Sequence, residues 1–487
     1  MKIQRREKMI LGILCALSAA TYLISAVNTA GIGFPLDDAW IHQTYARNLA
    51  NGNGWSFVPG HPSAGVTAPL WALILVLGNI IKAGPFTFTF FIGWILLWSF
   101  CLVAAAWMHK LLPEKPGWSL AAGSLIAFEW HLVWAAFSGM ETILFSFLAL
   151  LIFSYLSDKH DIHAAGWFGL GAIAGLSVWV RPEGITLIAP LVFVSIFSKR
   201  KWKSMVYTLF GFALLLLPYL YFNRWLAGTW WPNTFYAKQA EYAVLRQQPI
   251  AARLGNQLVQ PLVGVGVVLL PGFFYCMVEA VRSRRWGLLA GGLWMIGHLS
   301  IYAWRLPVTY QHGRYAMPAM PVFFLWGLLG TAWLARPRDT QHWWRVISRV
   351  WLTSIIVIVL VFWGIGAQAY ADDVAVINTE MVAAARWISE HTKVDELIAA
   401  HDIGALGYYG ERQLIDLAGL ISPQVIPFIR DEGQLEVFLD QHKADFLMTF
   451  PGWYPALTSD RQPIFQTTGG ISPALGGENM AVYRWSE

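Results

Sequence analysis

The stretch that follows the first apolar run reads Gly33-Phe34-Pro35-Leu36-Asp37-Asp38-Ala39-Trp40-Ile41-His42-Gln43-Thr44-Tyr45-Ala46-Arg47-Asn48-Leu49-Ala50-Asn51-Gly52. Pro35 ends an extended segment, and Asp37 or Asp38 can cap the helix that follows, because carboxylates favour the positive end of a helix. One face of that helix carries Ile41, Tyr45 and Leu49 at helical spacing. The pattern predicts a helix lying along a membrane surface, with two carboxylates at the lipid–water boundary.

The composition around this stretch is that of a polytopic membrane protein. The chain has 487 residues, of which 56% are hydrophobic and 13% charged, with 27 Trp. Soluble domains average roughly a quarter charged residues. The mean hydropathy is +0.48. These values exclude a soluble globular enzyme, a disordered chain and a fibrous protein.

The charges are divided unevenly along the chain. Residues 1–369 hold 27 Lys and Arg against 12 Asp and Glu, whereas residues 370–487 hold 7 against 17. The basic residues lie between apolar runs, which indicates membrane topology and no nucleic-acid partner. Cys15, Cys101 and Cys276 fall in separate apolar runs, so we expect them to be packing residues without a disulfide or zinc framework.

Apolar runs that approach the length of a membrane span recur through residues 1–369. Each is about long enough to cross ~30 Å of hydrocarbon. We count twelve: 9–27, 66–82, 86–108, 118–137, 141–157, 164–180, 183–198, 205–223, 258–280, 287–303, 317–335 and 350–369. The first follows Lys2, Arg5, Arg6 and Lys8 and resembles a signal peptide, but its length favours a retained helix with a cytoplasmic N-terminus.

Three basic clusters set the expected orientation. They are Lys199–Lys203, then Arg282, Arg284 and Arg285, and finally Arg336, Arg338, Arg345 and Arg349. Positively charged loops stay cytoplasmic, so loop 28–65, segments 138–141, 181–184, 224–257 and 304–316, and everything after 370 are expected outside. This topology requires an odd number of spans, whereas the twelve apolar runs make an even number. The discrepancy is confined to 66–137. The run 118–137, with Glu129 and His131, would be two short crossings or a re-entrant pair, which gives about 13 helices.

The tail from 370 to 487 has the pattern of a small α/β domain. Helices are expected over 378–391 and Gln434–His442, and strands at Leu397–Ala400, Gln413–Leu417, Asp445–Phe450 and Met480–Trp485. The tail has no glycine-rich phosphate loop, nucleophile elbow or metal cluster. It is expected to be a soluble cap on the transmembrane domain 1–369, with acceptor docking as the alternative role.

Further polar motifs fall on the predicted outer side. They are Ser138-Gly139-Met140-Glu141-Thr142, Arg181-Pro182-Glu183-Gly184, Pro232-Asn233-Thr234-Phe235-Tyr236-Ala237-Lys238 and His312-Gly313-Arg314-Tyr315. Each alone has an ordinary explanation: two aspartates capping a helix, Arg181 snorkelling, Glu141 capping, Lys238 in a solvated loop, or His312 as a loop histidine. Together the acids and the basic residues predict one outer cavity that binds phosphate, because Arg and Lys hold phosphate by charge-assisted hydrogen bonds.

These motifs resemble the GT-C superfamily of membrane glycosyltransferases. The resemblance rests on Leu36-Asp37-Asp38-Ala39, Tyr45-Ala46-Arg47-Asn48-Leu49, the Gly-Asn-Gly break and Pro69-Leu70-Trp71. Within the superfamily the chain looks most like the terminal arabinofuranosyltransferase-like branch, through the four outer motifs and His401–Tyr409 with Asp416–Leu420. It departs from that branch at Ala64, where an acidic residue would be expected, which weakens a transfer of the arabinose specificity.

The resemblance implies an inverting transfer of a sugar from a polyprenyl-phosphate carrier to a glycan, lipid or protein acceptor on the outer face of the plasma or inner membrane. Asp37 or Asp38 would be the catalytic base. The substrate-binding candidates are Glu141, Arg181, Tyr236, Lys238, His312, Arg314 and Tyr315. No cofactor is required, although Asp37 and Asp38 could bind a divalent cation.

Two other classes of function remain open on the sequence. A transporter or flippase of lipid-linked sugars would place polar groups near the bilayer midplane, where Glu129 and His131 are the best candidates. An assembly protein would use its tail to bind a partner. Only the glycosyltransferase releases free polyprenyl phosphate as product forms.

Overall fold

A computed structural model describes residues 4–157, 162–335 and 342–486. Lys2, which precedes the first apolar run, and Arg336 and Arg338 of the third basic cluster lie outside the described residues. All three cysteines are buried free thiols, and Cys15 Sγ lies 3.4 Å from Cys101 Sγ. The expected packing role fits this placement.

Within its described residues, the first half of the membrane part contains ten α-helices and one small hairpin. The hairpin joins β1 (Ser56–Val58) to β2 (His61–Pro62) inside the first loop. The helices are α1 (Arg5–Ala30), α2 (Asp38–Ala50), α3 (Pro69–Ile80), α4 (Pro85–Leu111), α5 (Gly117–Phe128), α6 (Trp130–Phe137), α7 (Thr142–Leu156), α8 (Ala164–Val180), α9 (Ile188–Ser195) and α10 (Lys201–Ala227).

The second half ends in one very long helix. Its helices are α11 (Asn233–Glu241), α12 (Ile250–Val259), α13 (Gly266–Arg282), α14 (Trp286–Arg305), α15 (Tyr310–Gly313), α16 (Met320–Leu334), α17 (His342–Val376) and α18 (Ala383–His391). A π-helical turn over Ile377–Val382 joins α17 to α18 without a break. The chain has no glycine or proline from 367 to 391, so nothing ends the helix at the expected boundary near 370.

The expected count of about 13 spans is not confirmed. Within the described residues, five continuous helices and two bent pairs are long and apolar enough to cross a membrane, and four shorter apolar helices accompany them. One of the shorter helices is α3, which has 12 residues. At 1.5 Å per residue it rises only about 18 Å, well short of ~30 Å of hydrocarbon.

The run 118–137 forms a bent helix pair. The bend between α5 and α6 is 56°. Glu129 stands at the break, where its carboxylate accepts a hydrogen bond from Leu132 N–H (3.1 Å) and lies 2.7 Å from His131 Nδ1. Both side chains are buried. Glu129 therefore caps α6 and also pairs with His131. These contacts explain two polar residues in an apolar run without a transport role.

The tail forms a five-stranded sheet with the order β4-β3-β5-β7-β6. Strands β3, β4 and β5 are parallel, while β7 runs antiparallel to β5 and β6. The elements are β3 (Leu397–Ala400), β4 (Gln413–Asp416), α19 (Glu432–Gln441), β5 (Phe446–Thr449), α20 (Pro455–Thr458), β6 (Pro463–Gln466), α21 (Ile471–Ala474) and β7 (Ala481–Arg484). The four expected strands are all present. Edge strand β6 was missed because it begins with proline and is mostly exposed.

Helix α2 is buried between the membrane helices and the tail. All residues from Ala39 to Ala46 are buried. The Trp40 ring contacts the rings of Tyr408 and Tyr409, with centroids 4.7 and 4.8 Å apart. Arg47 donates hydrogen bonds to the carbonyls of Tyr408 (2.7 Å) and Gly407 (3.1 Å). The helix is thus surrounded by protein, and the apolar face predicted from the sequence packs against other parts of the chain.

Asp37 joins the first loop to the tail. The expected cap on α2 does not form, since Asp37 makes no side-chain hydrogen bond to that helix. Its carboxylate accepts hydrogen bonds from Gly404 N–H (2.6 Å) and Ala405 N–H (2.7 Å), at the start of the helical turn 404–410. Gly404 is required there, because a Cβ atom on it would lie 2.0 Å from the Asp37 carbonyl oxygen.

We predict that Gly404→Ala separates the tail from α2, because the added methyl collides with the Asp37 backbone. Amide hydrogen exchange should speed up over residues 404–410 while the membrane helices keep their protection. Gly433→Ala is the matched control, since a Cβ there meets only Asp431 Oδ1 at 3.5 Å. Unchanged exchange in Gly404→Ala would contradict this account of the contact.

Candidate functional site

Asp38 is the centre of a buried charge cluster. It is the first residue of α2, and its Oδ2 lies 2.7 Å from Arg314 Nη2 and 3.6 Å from Lys238 Nζ. Burial acts to raise the pKa of Asp38, but Lys238 and Arg314 outweigh it and hold that pKa well below its usual range. The Asp38 side chain is therefore an ionised carboxylate at neutral pH.

Arg314 has hydrogen-bonding capacity to spare. Its Nη2 donates to Asp38 and to the Tyr315 hydroxyl (3.1 Å). Nε and Nη1 are buried and have no partner among the described residues. Burying guanidinium donors without an acceptor is costly. Two free donors beside a cationic Lys238 are what an incoming phosphate would satisfy.

A second charge cluster lies around Arg181, directly after α8. Its Nη1 donates to Glu141 Oε1 (3.0 Å), its Nε to Glu183, and its Nη2 to the Tyr302 hydroxyl (3.3 Å). The Arg181 guanidinium also lies over the Tyr315 ring, 5.3 Å from its centroid. Tyr315 therefore stands between Arg181 and Arg314, whose guanidinium lies 5.0 Å from the same ring. The ring links the two clusters.

Both clusters border an apolar cavity of about 390 Å³. Its charged lining residues are Asp38, Glu141, Arg181, Glu183, Lys238, Arg305 and Arg314. Apolar side chains from several elements form most of the wall, among them Ile41, Val66, Ile185, Trp231, Phe235 and Trp304. An apolar cavity lined by a few charged side chains suits an amphiphile with an anionic head.

A second cavity, polar and about 580 Å³, lies against the tail. His401, Asp402, Trp453 and Tyr454 of the tail form part of its wall. The two cavities share five lining residues: Asp38, Ile41, Lys238, Leu420 and Arg314. The charged side chains of Asp38, Lys238 and Arg314 thus lie at the boundary between the apolar cavity and the polar cavity.

The Pro232–Lys238 motif explains how Lys238 reaches Asp38. Asn233 N–H donates to the Ala64 carbonyl (3.1 Å), and Thr234 Oγ1 donates to the Gly65 carbonyl (2.8 Å). Asn233 Nδ2 donates to the Leu420 carbonyl of the tail (3.1 Å). These bonds fix the start of α11 to the first loop and the tail, and Lys238 follows one turn later.

Seven of the nine expected site residues line the two cavities. They are Asp37, Asp38, Glu141, Arg181, Lys238, Arg314 and Tyr315. Tyr236 and His312 line neither cavity. The Tyr236 ring packs edge-on against Phe235. His312 Nε2 lies 2.7 Å from Asp373 Oδ2, and its ring contacts Trp130 and Trp134.

Sequence reasoning assigned no role to several residues that the structure brings to the cavities. His42 Nε2 lies 3.3 Å from Glu141 Oε2, and Tyr302 contacts Arg181 and Glu183. Asp402 and Gln311 line the polar cavity. Two signals were available: Asp402 lies in the tail segment quoted for the family resemblance, and Gln311 directly precedes the His312–Tyr315 motif.

The aspartate pair does not fit a divalent cation. Both oxygens of Asp37 accept backbone N–H bonds, and Asp38 is paired with two cationic side chains. A metal ion would have to displace these donors. Across residues 4–157, 162–335 and 342–486, no group of three His, Cys, Asp or Glu side chains is placed to hold a metal ion.

Comparison by sequence finds a match for the tail alone. A family model described as a domain of unknown function (DUF8728) matches residues 367–483, from the end of α17 through the sheet. No curated protein matches the chain.

Comparison by structure covers nearly the whole chain. The crystal structure of ArnT from Cupriavidus metallidurans bound to undecaprenyl phosphate aligns over 97% of this chain and 97% of its own, with a TM-score of 0.63 and 12% identity. The Archaeoglobus fulgidus oligosaccharyltransferase, in complex with zinc and sulfate, aligns over 90% of this chain and 68% of its own, with a TM-score of 0.58 and 13% identity. These likenesses confirm the predicted GT-C fold. Mycobacterial arabinofuranosyltransferase AftD also aligns, over 100% of this chain and 40% of its own, with a TM-score of 0.49 and 12% identity.

We predict that the contact between α11 and the tail weakens as pH rises. His401 Nε2 lies 3.4 Å from Glu241 Oε1. Burial lowers the pKa of His401, but its bond to Glu241 outweighs burial and raises it above the ordinary value. The stabilisation is therefore complete below the ordinary histidine pKa of about 6.5 and is lost as pH rises through the higher folded-state value.

The measurement is the thermal midpoint of the wild type and of His401→Gln between pH 6 and pH 9. The difference between the two should shrink as pH rises. His442→Gln is the control, because His442 is exposed at the end of α19. A His401→Gln difference that is constant over this range would contradict the assignment.

Proposed function

We propose that this chain is a membrane glycosyltransferase that moves a sugar from a polyprenyl-phosphate carrier to an acceptor hydroxyl. The observation that carries the proposal is the pair of unpartnered Arg314 donors beside Lys238, in the lining of an apolar cavity. Phosphate is the group that would satisfy them. The polyprenyl chain of the donor would occupy the apolar cavity, because its hydrocarbon needs apolar surroundings.

The comparisons support a polyprenyl-linked donor. ArnT, which has the same fold over nearly its whole length, binds undecaprenyl phosphate. The donor phosphate would bind to Arg314 and Lys238, with Arg181 supporting the site through Tyr315. Glu141 would fix the orientation of Arg181. Tyr236 and His312 were also expected to bind substrate, and their positions outside both cavities give that expectation no support.

The proposed orientation follows from the charge pattern. The N-terminus would be cytoplasmic, and the first loop and the tail would face the extracytoplasmic side of the plasma or inner membrane. Two described basic clusters lie at helix starts: Lys199–Lys203 spans the start of α10, and Arg282–Arg285 runs from the last residue of α13 to the residue before α14. Both would then lie on the side opposite the cavities.

The proposed reaction is an inverting displacement. The acceptor oxygen attacks the anomeric carbon, the bond from that carbon to the phosphate oxygen breaks, and the electron pair leaves with the polyprenyl phosphate. Arg314 and Lys238 offset the charge on the leaving group. The acceptor proton goes to one of the two aspartates. Asp38 suits this role better than Asp37, because Asp38 lines both cavities whereas backbone donors occupy both oxygens of Asp37.

A weakly basic carboxylate can serve in such a reaction. The attacking hydroxyl becomes acidic only as its bond to the anomeric carbon forms, so the proton moves late. Before that point, an ionised Asp38 stabilises the positive charge that develops on the sugar ring. Asp37 would act indirectly, by holding α2 and the tail together at the boundary between the cavities. The acceptor would be a glycan, a lipid or a protein, and the arabinofuranosyltransferase-like branch suggests an envelope glycan.

We expect Arg314→Ala and Lys238→Ala to weaken binding of undecaprenyl phosphate, by about 10- to 100-fold for Arg314→Ala, which loses charge-assisted hydrogen bonds. Isothermal titration in nanodiscs measures the affinity. Arg246→Ala is the matched control, because this arginine is exposed between α11 and α12. Equal affinity in all three variants would remove the phosphate assignment.

We expect Asp38→Asn to reduce turnover by about 10²–10⁴-fold, without weakening undecaprenyl phosphate binding. The assay follows release of free polyprenyl phosphate together with transfer of a radiolabelled sugar, which separates an enzyme from a transporter. Asp37→Asn should instead speed hydrogen exchange over residues 404–410. Near wild-type turnover in Asp38→Asn would show that this carboxylate is not the base.

A further inference from the structure

Two buried hydrogen-bond acceptors of the polar cavity have no partner. They are Asp402 Oδ2 and Gln311 Oε1, neither of which is bonded to any other described residue. Other acids of the same cavity are engaged. Glu241 pairs with His401, and Glu432 accepts N–H bonds from Ala456 and Leu457. The cavity therefore offers two buried oxygens that require donors from a ligand.

The backbone holds Gln311 in a conformation that is rare for residues with a side chain. Gln311 and His312 both have left-handed φ angles, of 55° and 57°. The His312 contact with Asp373 fixes the bend, and Trp134 Nε1 also donates to Asp373 Oδ2 (2.9 Å). Such strain persists only where surrounding contacts impose it, and it is concentrated at functional sites. His312 thus supports the position of Gln311 in the cavity wall.

An aromatic side chain, Trp453, lines the same cavity. Trp453 is 48% exposed although it lines the cavity. Its ring contacts those of His401 (5.0 Å) and Phe450 (5.1 Å), which fix its position. Sugar rings present apolar C–H faces and hydroxyl edges. A rigid indole beside unpaired oxygen acceptors is complementary to both.

The charges of the cavity disfavour an anionic ligand. Five carboxylates line it, one of them Asp37 with a raised pKa, against Lys238, Arg314, Arg430 and the His401 imidazole. Lys238 and Arg314 are the residues that the proposed function assigns to the donor phosphate. A bound donor phosphate adds negative charge to this balance, so a phosphorylated or carboxylated acceptor would be repelled.

We propose that this polar cavity is the acceptor subsite and binds a neutral sugar, whose hydroxyls donate to Asp402 and Gln311 and whose ring packs on Trp453. The proposal rests on the proposed function, because the polar cavity meets the apolar cavity at Asp38. Asp402 and Gln311 select the acceptor, and the tail domain, through Asp402 and Trp453, supplies half of the subsite.

The test is saturation-transfer NMR on the full chain in nanodiscs containing undecaprenyl phosphate. The probes are methyl β-D-glucopyranoside, methyl α-D-mannopyranoside, methyl α-D-arabinofuranoside and D-glucose 6-phosphate. At least one neutral glycoside should bind the wild type, and glucose 6-phosphate should bind more weakly. Asp402→Ala should weaken the neutral glycoside by about 10- to 100-fold and Gln311→Ala by about 2- to 10-fold.

Glu436→Gln is the control, because it removes an exposed carboxylate of the tail that lines neither cavity. Undecaprenyl phosphate binding, measured on the same samples, reports whether each variant is folded. Should Asp402→Ala fail that check, Trp453→Ala carries the test and should also lose the glycoside. Failure of every neutral glycoside to bind the wild type, wild-type binding in the variants, or preferred binding of glucose 6-phosphate would overturn the acceptor assignment. The donor proposal would survive each of these results, since it depends on undecaprenyl phosphate binding and Arg314.

Discussion

A carboxylate that is largely withdrawn from water must be compensated by nearby cations, and in this protein the compensation of Asp38 holds three distant segments together. Asp38 comes from the first loop, Lys238 from α11 and Arg314 from the turn before α16. Removing Asp38 would leave Lys238 and Arg314 without this counterion, and charges that are withdrawn from water without compensation are destabilising. The ion pairs therefore fix the relative positions of these segments, and the two cavities meet where they do because the cluster is there.

The two neighbouring aspartates of the first loop have separate tasks. Asp37 is directed to the tail, where backbone N–H groups bind both oxygens. Burial, reinforced by Asp402, raises the pKa of Asp37 to about 8. Asp38 is directed to the cavities and kept ionised by its cations. Adjacent residues at a helix start diverge in direction, so one pair can join two domains and also supply a charge to the site.

Much of this arrangement was predictable because charge and hydropathy determine which side of the membrane a segment occupies. The basic clusters grouped Glu141, Arg181, Lys238 and Arg314 on the outer side, and these residues do share one cavity. Strand Leu397–Ala400 was predicted at its observed bounds, because a parallel strand buried on both faces is a short apolar run. The fold class and most of the site follow from these two properties.

The remainder depends on directions and lengths that local patterns do not encode. His312 pairs with Asp373 and lines neither cavity, in a turn where two left-handed residues precede Gly313. Asp402 and Gln311 have no distinctive spacing, and only tertiary packing leaves their oxygens unpaired. Helix α3 is apolar enough to be counted as a span but too short to be one.

The most direct measurement is a cryo-EM structure of the protein in nanodiscs with undecaprenyl phosphate. The account predicts phosphate density within hydrogen-bonding distance of Arg314 Nε and Nη1 and next to Lys238, with the lipid chain in the apolar cavity. Phosphate density elsewhere, with the Arg314 donors still unpaired, would contradict it.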